Sequence, residues 1–248
     1  MAWVQTDSLS FSARHESEDE EAAVAILDDL EDFRDRLAAL FATAPAEVSV
    51  VIHAHPGALA LAHPWLPMAR VLAAPAARRY MAGWFAQGEI HVLAPDALEE
   101  RAARVDGSRE ALMLTPMHEY AHLVIGANND ELPPPFTFRT FARYIRWAWL
   151  CEGAATHFAG QGPHLRAAIL RRLREGPRPA FPPDARDAPL LGATVFALLE
   201  RERGAQACAE LASGRLSASG PQPTVERAFE RPFGDVERAW RGALEQHQ

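Results

Sequence analysis

The chain contains no lysine, so all 25 of its basic residues are arginine. Its 33 acidic residues leave a formal net charge of −8 at neutral pH. Broad nucleic-acid binding needs a basic surface that neutralises phosphates, so this balance excludes it as the main function. We attribute the exclusive use of arginine to a compositional habit of the sequence.

Cysteine and long apolar runs are also scarce. The two cysteines, Cys151 and Cys208, are too few for a disulfide framework, and we expect buried or free thiols. No stretch reaches the ~18 uncharged apolar residues of a membrane-spanning helix, and residues 1–7 lack the features of a secretion signal. These absences predict a soluble, cytoplasmic protein that does not bind membranes.

The remaining composition is typical of a globular protein. A chain of 248 residues with 48% hydrophobic content can build one sizeable core or two small lobes that share a cleft. Alternating or β-branched stretches predict strands at 8–13 and 48–52, and a hairpin over 80–94 that turns at Gln87 and Gly88. Helical periodicity covers 16–40, 96–104, 141–158 and most of the chain after 164.

The most informative stretch is Thr115–Val124, in which His118, Glu119 and His122 have the order H-E-x-x-H. At 3.6 residues per turn, both imidazoles lie on one helical face and can bind one metal ion. Glu119 lies on an adjoining part of that face, where it can take a proton from a water molecule on the metal.

Pro116 allows two versions of this helix. The helix either begins at Pro116 with Thr115 as its N-cap, or starts near Ser108 and is kinked at Pro116. The apolar pattern upstream of Pro116 favours the longer version.

A metal site of this kind needs a third ligand, and Glu152 is the best candidate. It lies in a helix-like segment, 147–158, that can hold a carboxylate rigidly. Two histidines and one glutamate are a known ligand set for catalytic zinc. Asp130 and Glu131 are rivals by distance in sequence, but they lie in a polar loop.

Three further histidines, His53, His55 and His63, raise the question of a second metal site. They follow a predicted strand in a stretch rich in proline and glycine, without a carboxylate or cysteine nearby. This setting favours a loop or core role.

The motif at 118–122, followed by W-L-x-E-G-x-A at 149–155, resembles the gluzincin metallopeptidases, the group that contains thermolysin. The resemblance implies that His118, His122 and Glu152 bind Zn²⁺ and that Glu119 is the general base. It also implies a zincin-like fold. In that fold, the peptide substrate pairs with the exposed edge of the last strand before the active-site helix, here Glu89–Leu93.

The sequence departs from this family at two positions after Glu152. Thr156 replaces an acidic residue that orients the first histidine, which implies either a less basic ligand or a carboxylate from elsewhere. His157 replaces an aromatic residue, and packing is its favoured role. Since no tyrosine follows Glu152, Tyr144 and His157 are the candidates for stabilising the transition state.

These features predict an α+β zinc metallopeptidase of zincin-like architecture. Residues 1–126 would form a lobe with a small mixed sheet and the H-E-x-x-H helix. Residues 127–248 would form a helical lobe that carries Glu152, and the two would make one catalytic unit with a peptide or protein substrate. The alternative is a catalytically inactive zincin-like module that binds peptides or regulates a partner, although Glu119 has no purpose in such a module.

Overall fold

The computed structural model describes residues 2–62, 65–102 and 105–245, which form an α+β structure with one small mixed sheet. Its strands are β1 Trp3–Asp7, β2 Phe11–Glu16, β3 Val48–His53, β4 Gly83–Ala86 and β5 Glu89–Leu93. Its α-helices are α1 Glu20–Ala38, α2 Pro56–Ala62, α3 Trp65–Leu72, α4 Pro95–Ala102, α5 Ser108–Met113, α6 Thr115–Asn128, α7 Phe138–Arg146, α8 Ala148–Phe158, α9 Arg166–Arg174, α10 Ala188–Arg203, α11 Ala205–Ser213, α12 Pro221–Phe229 and α13 Phe233–Glu245. Short 3₁₀ helices cover Ser17–Asp19 and Gly162–Leu165.

The sheet has the strand order β1-β2-β3-β5-β4. The three inner strands are parallel, and each outer strand is antiparallel to its neighbour. Alternate residues of β3, Val48, Val50 and Ile52, belong to the main core, which also contains the apolar stripe of α1 and much of α6. The predicted α+β class and small mixed sheet are confirmed. Of the strand expected at 8–13, residues 11–13 belong to β2, while residues 8–10 connect β1 to β2.

The edge strand beside α6 is β4. Because β5 pairs with β3 on one side and β4 on the other, the prediction that Glu89–Leu93 forms an exposed rim was wrong. Ile90 and Val92 are fully buried, which a central position in the sheet provides. The predicted turn at Gln87 and Gly88 is present and folds β4 back along the outside of β5.

The helix with the H-E-x-x-H motif begins at Thr115, so the longer, kinked version was wrong. Leu114 separates α5 from α6, and Pro116 lies in the first turn of α6, where the helix requires no backbone N–H from it. The helix expected over 141–158 is also two helices, α7 and α8, which meet at Trp147. Residues 148–156 are all buried, so α8 runs through the interior.

A backbone contact between α8 and α10 fixes the position of α8. A Cβ atom on Gly192 would lie 2.7 Å from the Gly153 Cα atom and 2.7 Å from the Trp149 carbonyl oxygen. Since Cβ atoms do not approach backbone this closely, the two helices cross at a distance that only glycine permits.

In the described ranges, no helix combines the length and apolar character needed to cross a membrane. The expected division into lobes near residue 126 stays a prediction.

We expect Gly192→Ala to destabilise the protein by about 1–3 kcal/mol, because the new methyl group overpacks a backbone contact that cannot move aside. Helix propensity alone predicts the opposite, a gain of about 0.5–1 kcal/mol. Gly242→Ala in α13 is the matched control, since nothing lies within 4 Å of its Cβ position. Chemical denaturation of both variants separates the two effects, and equal stability of the variants would contradict the close crossing.

Candidate metal centre

Three side chains from α6 and α8 converge on one point. The Nε2 atoms of His118 and His122 are 3.1 Å apart. The Glu152 carboxylate oxygens lie 3.6 Å from Nε2 of His118 and 3.4 Å from Nε2 of His122. This group could hold a metal ion, and it is the one such group of three found in the part of the chain that the structure describes.

The donor set and its spacing fit a tetrahedral metal ion. Ligand atoms at about 2.0–2.1 Å from a tetrahedral Zn²⁺ are separated by roughly 3.3 Å, and the distances among these side chains bracket that value. His118 and His122 lie one turn apart on α6, while Glu152 reaches the same point from the middle of α8. The structure therefore brings together the three ligands that the sequence nominated.

The carboxylate of Glu119 lies beside this group, in a space that Gly83 leaves open. A Cβ atom on Gly83 would lie 2.5 Å from Oε1 of Glu119. Glu119 is buried, and burial raises the pKa of its carboxyl group to about 8. Because β4 has a glycine at this position, a buried carboxyl group fits next to the three candidate metal ligands.

Gln161 orients His118, a role that the sequence did not assign to it. Its Oε1 atom lies 2.8 Å from Nδ1 of His118, and its Nε2 donates to the Ala111 carbonyl oxygen at 2.8 Å. Because the amide N–H₂ is committed to Ala111, Oε1 must accept, which places the proton of His118 on Nδ1. Nε2 of His118 then keeps its lone pair for a metal ion. The Thr156 hydroxyl lies at 3.5 Å and is a weaker partner.

Two aromatic residues hold the other ligands in place. The Tyr144 hydroxyl donates a hydrogen bond to Oε1 of Glu152. The ring of Phe85, on β4, stacks on His122 with a centroid separation of 4.2 Å. Tyr144, a candidate for transition-state stabilisation, is thus bound to a ligand carboxylate in this state.

Burial and neighbouring charges shift the pKa values of the three converging side chains in different directions. Burial would raise the pKa of Glu152, but the hydrogen bond to His118 and the proximity of His122 lower it to about 2. Burial opposes the charge of His118, yet Glu152 and Glu119 raise its pKa. Burial lowers the pKa of His122 to about 3. An ionised Glu152 therefore gives the buried group a negative charge that favours a cation.

The cleft around the centre is narrow and contains one unpaired hydroxyl group. Its volume is about 40 Å³, and its walls include Tyr80, Met81 and Leu165. The Tyr80 hydroxyl oxygen is buried and has no hydrogen-bond partner within the described ranges. No feature of the sequence distinguished Tyr80, since its role depends on how the segment before β4 folds over the cleft.

Two other residues considered from the sequence, His157 and Glu131, lie outside the group formed by His118, His122 and Glu152. His157 packs against Phe196 at 5.7 Å between ring centroids and faces Glu200 at 3.8 Å, which agrees with the packing role favoured for it. Glu131 accepts a hydrogen bond from the Leu216 backbone N–H and pairs with an arginine.

The other histidine group does not form a metal site with the residues described. Nε2 of His53 lies 3.0 Å from Nδ1 of His91 on the neighbouring strand, and both side chains are buried. This geometry supports the expected core role of His53. His55 precedes α2 and accepts a backbone hydrogen bond from Ala58 through its carbonyl oxygen, while His63 lies outside the described residues.

Comparison of the chain with protein-family models, curated proteins and solved structures finds no match.

We expect Gln161→Ala to weaken Zn²⁺ binding by about 10–100-fold, because His118 loses the group that fixes its tautomer and orientation. Competition with a chelating indicator at neutral pH measures the affinity. Gln161→Glu keeps an acceptor for Nδ1 and should bind Zn²⁺ more tightly than Gln161→Ala. Gln222→Ala, an exposed glutamine on α12, is the control, and equal affinity for Gln161→Ala and Gln222→Ala would refute the orienting role.

Proposed function

We propose that this chain is a zinc-dependent peptidase of zincin-like architecture, as the resemblance to gluzincins implies. The observation that carries the proposal is the convergence of His118, His122 and Glu152 with a fourth buried group, Glu119, beside them. A structural metal site gains nothing from an additional buried carboxylate next to its ligands. A hydrolytic site needs one as a proton acceptor.

The donor set favours zinc among the common metal ions. Two imidazole nitrogens and one carboxylate suit Zn²⁺ better than Mg²⁺ or Ca²⁺, which prefer oxygen ligands. The same set also occurs in non-haem Fe(II) oxygenases. The buried acid beside the ligands favours hydrolysis over oxygen chemistry, because general acid–base catalysis requires a group of this kind.

When bound, zinc would polarise the substrate carbonyl and acidify a water molecule. The chain's own residues supply the remaining steps. Glu119 lies beside the three converging side chains, where its carboxylate would accept a proton from the attacking water and deliver it to the leaving amine. Tyr144 holds the Glu152 carboxylate, and Gln161 holds His118, so the ligands keep their geometry during the reaction.

The position of the unpaired edge of β4 beside the cleft favours an extended peptide as the substrate. The outer edge of β4 is free of strand pairing within the described residues, and β4 contributes Gly83, Trp84 and Phe85 to the wall of the cleft. An extended peptide can add to this edge through backbone hydrogen bonds, which position a peptide bond without requiring a particular sequence. A peptide or protein is therefore the proposed substrate.

Glu119→Gln should retain Zn²⁺ but lose peptide cleavage by about 10²–10⁴-fold, because the amide cannot accept the proton. Glu152→Ala should lose Zn²⁺ and activity together, because the cluster keeps only two of its three ligands. Zinc content and cleavage of a mixed peptide library are measured on the same samples. If the wild type binds Zn²⁺ but cleaves no peptide, the inactive binding or regulatory module becomes the better description.

Tyr80→Phe should lower kcat/KM by about tenfold without lowering thermal stability. A buried hydroxyl without a partner costs roughly 1–3 kcal/mol, so we expect it to donate to the bound peptide. Tyr144→Phe is the contrast, since loss of its hydrogen bond to Glu152 should reduce Zn²⁺ affinity. Unchanged kinetics of Tyr80→Phe would remove Tyr80 from the substrate-binding groups.

A further inference from the structure

A second and larger concavity lies in the helical part of the chain. It has a volume of about 640 Å³ and is bounded by the end of α8, the segment 160–166, α10 and the end of α13. We call it the α10 groove. Ligand pockets for small organic molecules typically measure ~300–1,000 Å³. The α10 groove shares no lining residue with the metal cleft.

One face of α10 forms the floor of the groove. Leu190, Ala193, Ala197 and Arg201 recur at the three- and four-residue spacing of a single helical stripe. Eleven residue steps at 1.5 Å give this stripe a length of about 16 Å. The two alanines keep the floor low, while Leu244 contributes to the wall from α13. The groove is therefore long and largely aliphatic.

The polar groups in the floor are already satisfied. The Thr194 hydroxyl donates to the Leu191 carbonyl oxygen at 2.6 Å and accepts from the Trp240 indole N–H at 2.7 Å. Glu200, next to Arg201, is exposed and belongs to the rim, where its carboxylate faces His157 at 3.8 Å. A ligand lying along the floor gains little from polar groups of its own and most from apolar surface removed from water.

The rim carries two arginines whose charges are not neutralised. Arg166 begins α9 and Arg201 lies in the last turn of α10, and both are exposed. Neither guanidinium makes a hydrogen bond or an ion pair with any residue in the described ranges. Two arginines against one lining carboxylate, Glu200, leave a net positive charge at the rim, which favours an anionic group on the ligand in a chain with a net charge of −8.

We propose that the α10 groove binds a free long-chain carboxylate, whose apolar chain lies along α10 and whose carboxylate pairs with arginine at the rim. An aliphatic floor without free hydrogen-bonding groups selects the chain, and the unpaired guanidinium groups select the sign of the head group. The proposal of a ligand in the α10 groove does not rest on the proposed peptidase activity, because it is argued from residues that do not line the metal cleft.

The groove and the metal cleft share the segment 160–162, which could couple a ligand in the groove to the candidate metal centre. Gly160 and Gly162 line the groove, while Gln161 between them binds His118 in the cleft. A ligand that shifts this segment therefore acts on the residue that orients a metal ligand.

The test measures binding of monomeric dodecanoate by isothermal titration calorimetry, with metal-loaded and metal-stripped protein. The probe of opposite charge is dodecyltrimethylammonium, which has the same chain length. We expect saturable binding of dodecanoate in both metal states, at least tenfold tighter than the cation. Equal affinity for the two probes, or no saturation below the micelle concentration, would overturn the proposal.

Substitutions in the groove distinguish dodecanoate binding at this site from binding elsewhere on the surface. Ala197→Trp, at an exposed position in the floor, should abolish binding by filling the groove, and an unchanged melting temperature shows that the variant is folded. Arg166→Gln combined with Arg201→Gln should weaken dodecanoate binding about tenfold. Arg174→Gln, an exposed arginine at the other end of α9, is the matched control and should bind like the wild type.

Two other occupants correspond to distinct results. Dimerisation that Ala197→Trp abolishes, seen by sedimentation equilibrium without added ligand, would assign the groove to a second copy of the chain. Co-sedimentation with phosphatidylglycerol vesicles in the absence of dodecanoate binding would assign it to a membrane surface. Either result overturns the proposal of a free carboxylate. Because the readout is binding and not cleavage, failure of the peptidase proposal leaves this test unaffected.

Discussion

The close crossing of α8 and α10 is the constraint on which the candidate site depends. Gly153 follows Glu152 directly, so the residue that allows backbone contact with Gly192 also fixes the helix that carries the third ligand. A wider crossing would move Glu152 relative to the two histidines on α6. Tolerance for such movement is small, because a metal centre requires ligand positions within about 0.5 Å.

Electrostatic balance explains why the group that orients His118 is neutral. Glu119 and Glu152 already place two carboxyl groups in one buried site, and each raises the pKa of the histidine beside them. A third carboxylate at this point would add another desolvated negative charge. The amide of Gln161 supplies the required acceptor without that cost, and its second hydrogen bond to Ala111 prevents it from rotating. Gln161, from the loop after α8, thus supplies the orienting partner that Thr156, at 3.5 Å from His118, provides only weakly.

Local spacing made the convergence of the two histidines and Glu152 predictable, whereas the surrounding groups depend on tertiary structure. His118, Glu119 and His122 share one helical turn, and Glu152 lies in a motif of recognisable residues, so the sequence indicated them directly. Gln161 and Tyr80 contact the site only because a turn after α8 and a segment before β4 fold over it, and neither carries a local pattern. The strand at the sheet edge was mistaken for the same reason: periodicity identifies the β4–β5 hairpin but not which of its arms pairs with β3. The breaks at Leu114 and Trp147 likewise lie within apolar patterns that continue across them.

The small free volume of the cleft, about 40 Å³, has a thermodynamic consequence for the proposed substrate. A peptide on the outer edge of β4 would need only its reacting group to reach the three converging side chains. If the wall around Tyr80 and Met81 had to move for this, the apparent affinity would equal the intrinsic affinity multiplied by the fraction of molecules in the open form. Selectivity would then depend on how readily that wall moves as well as on the contacts with the peptide.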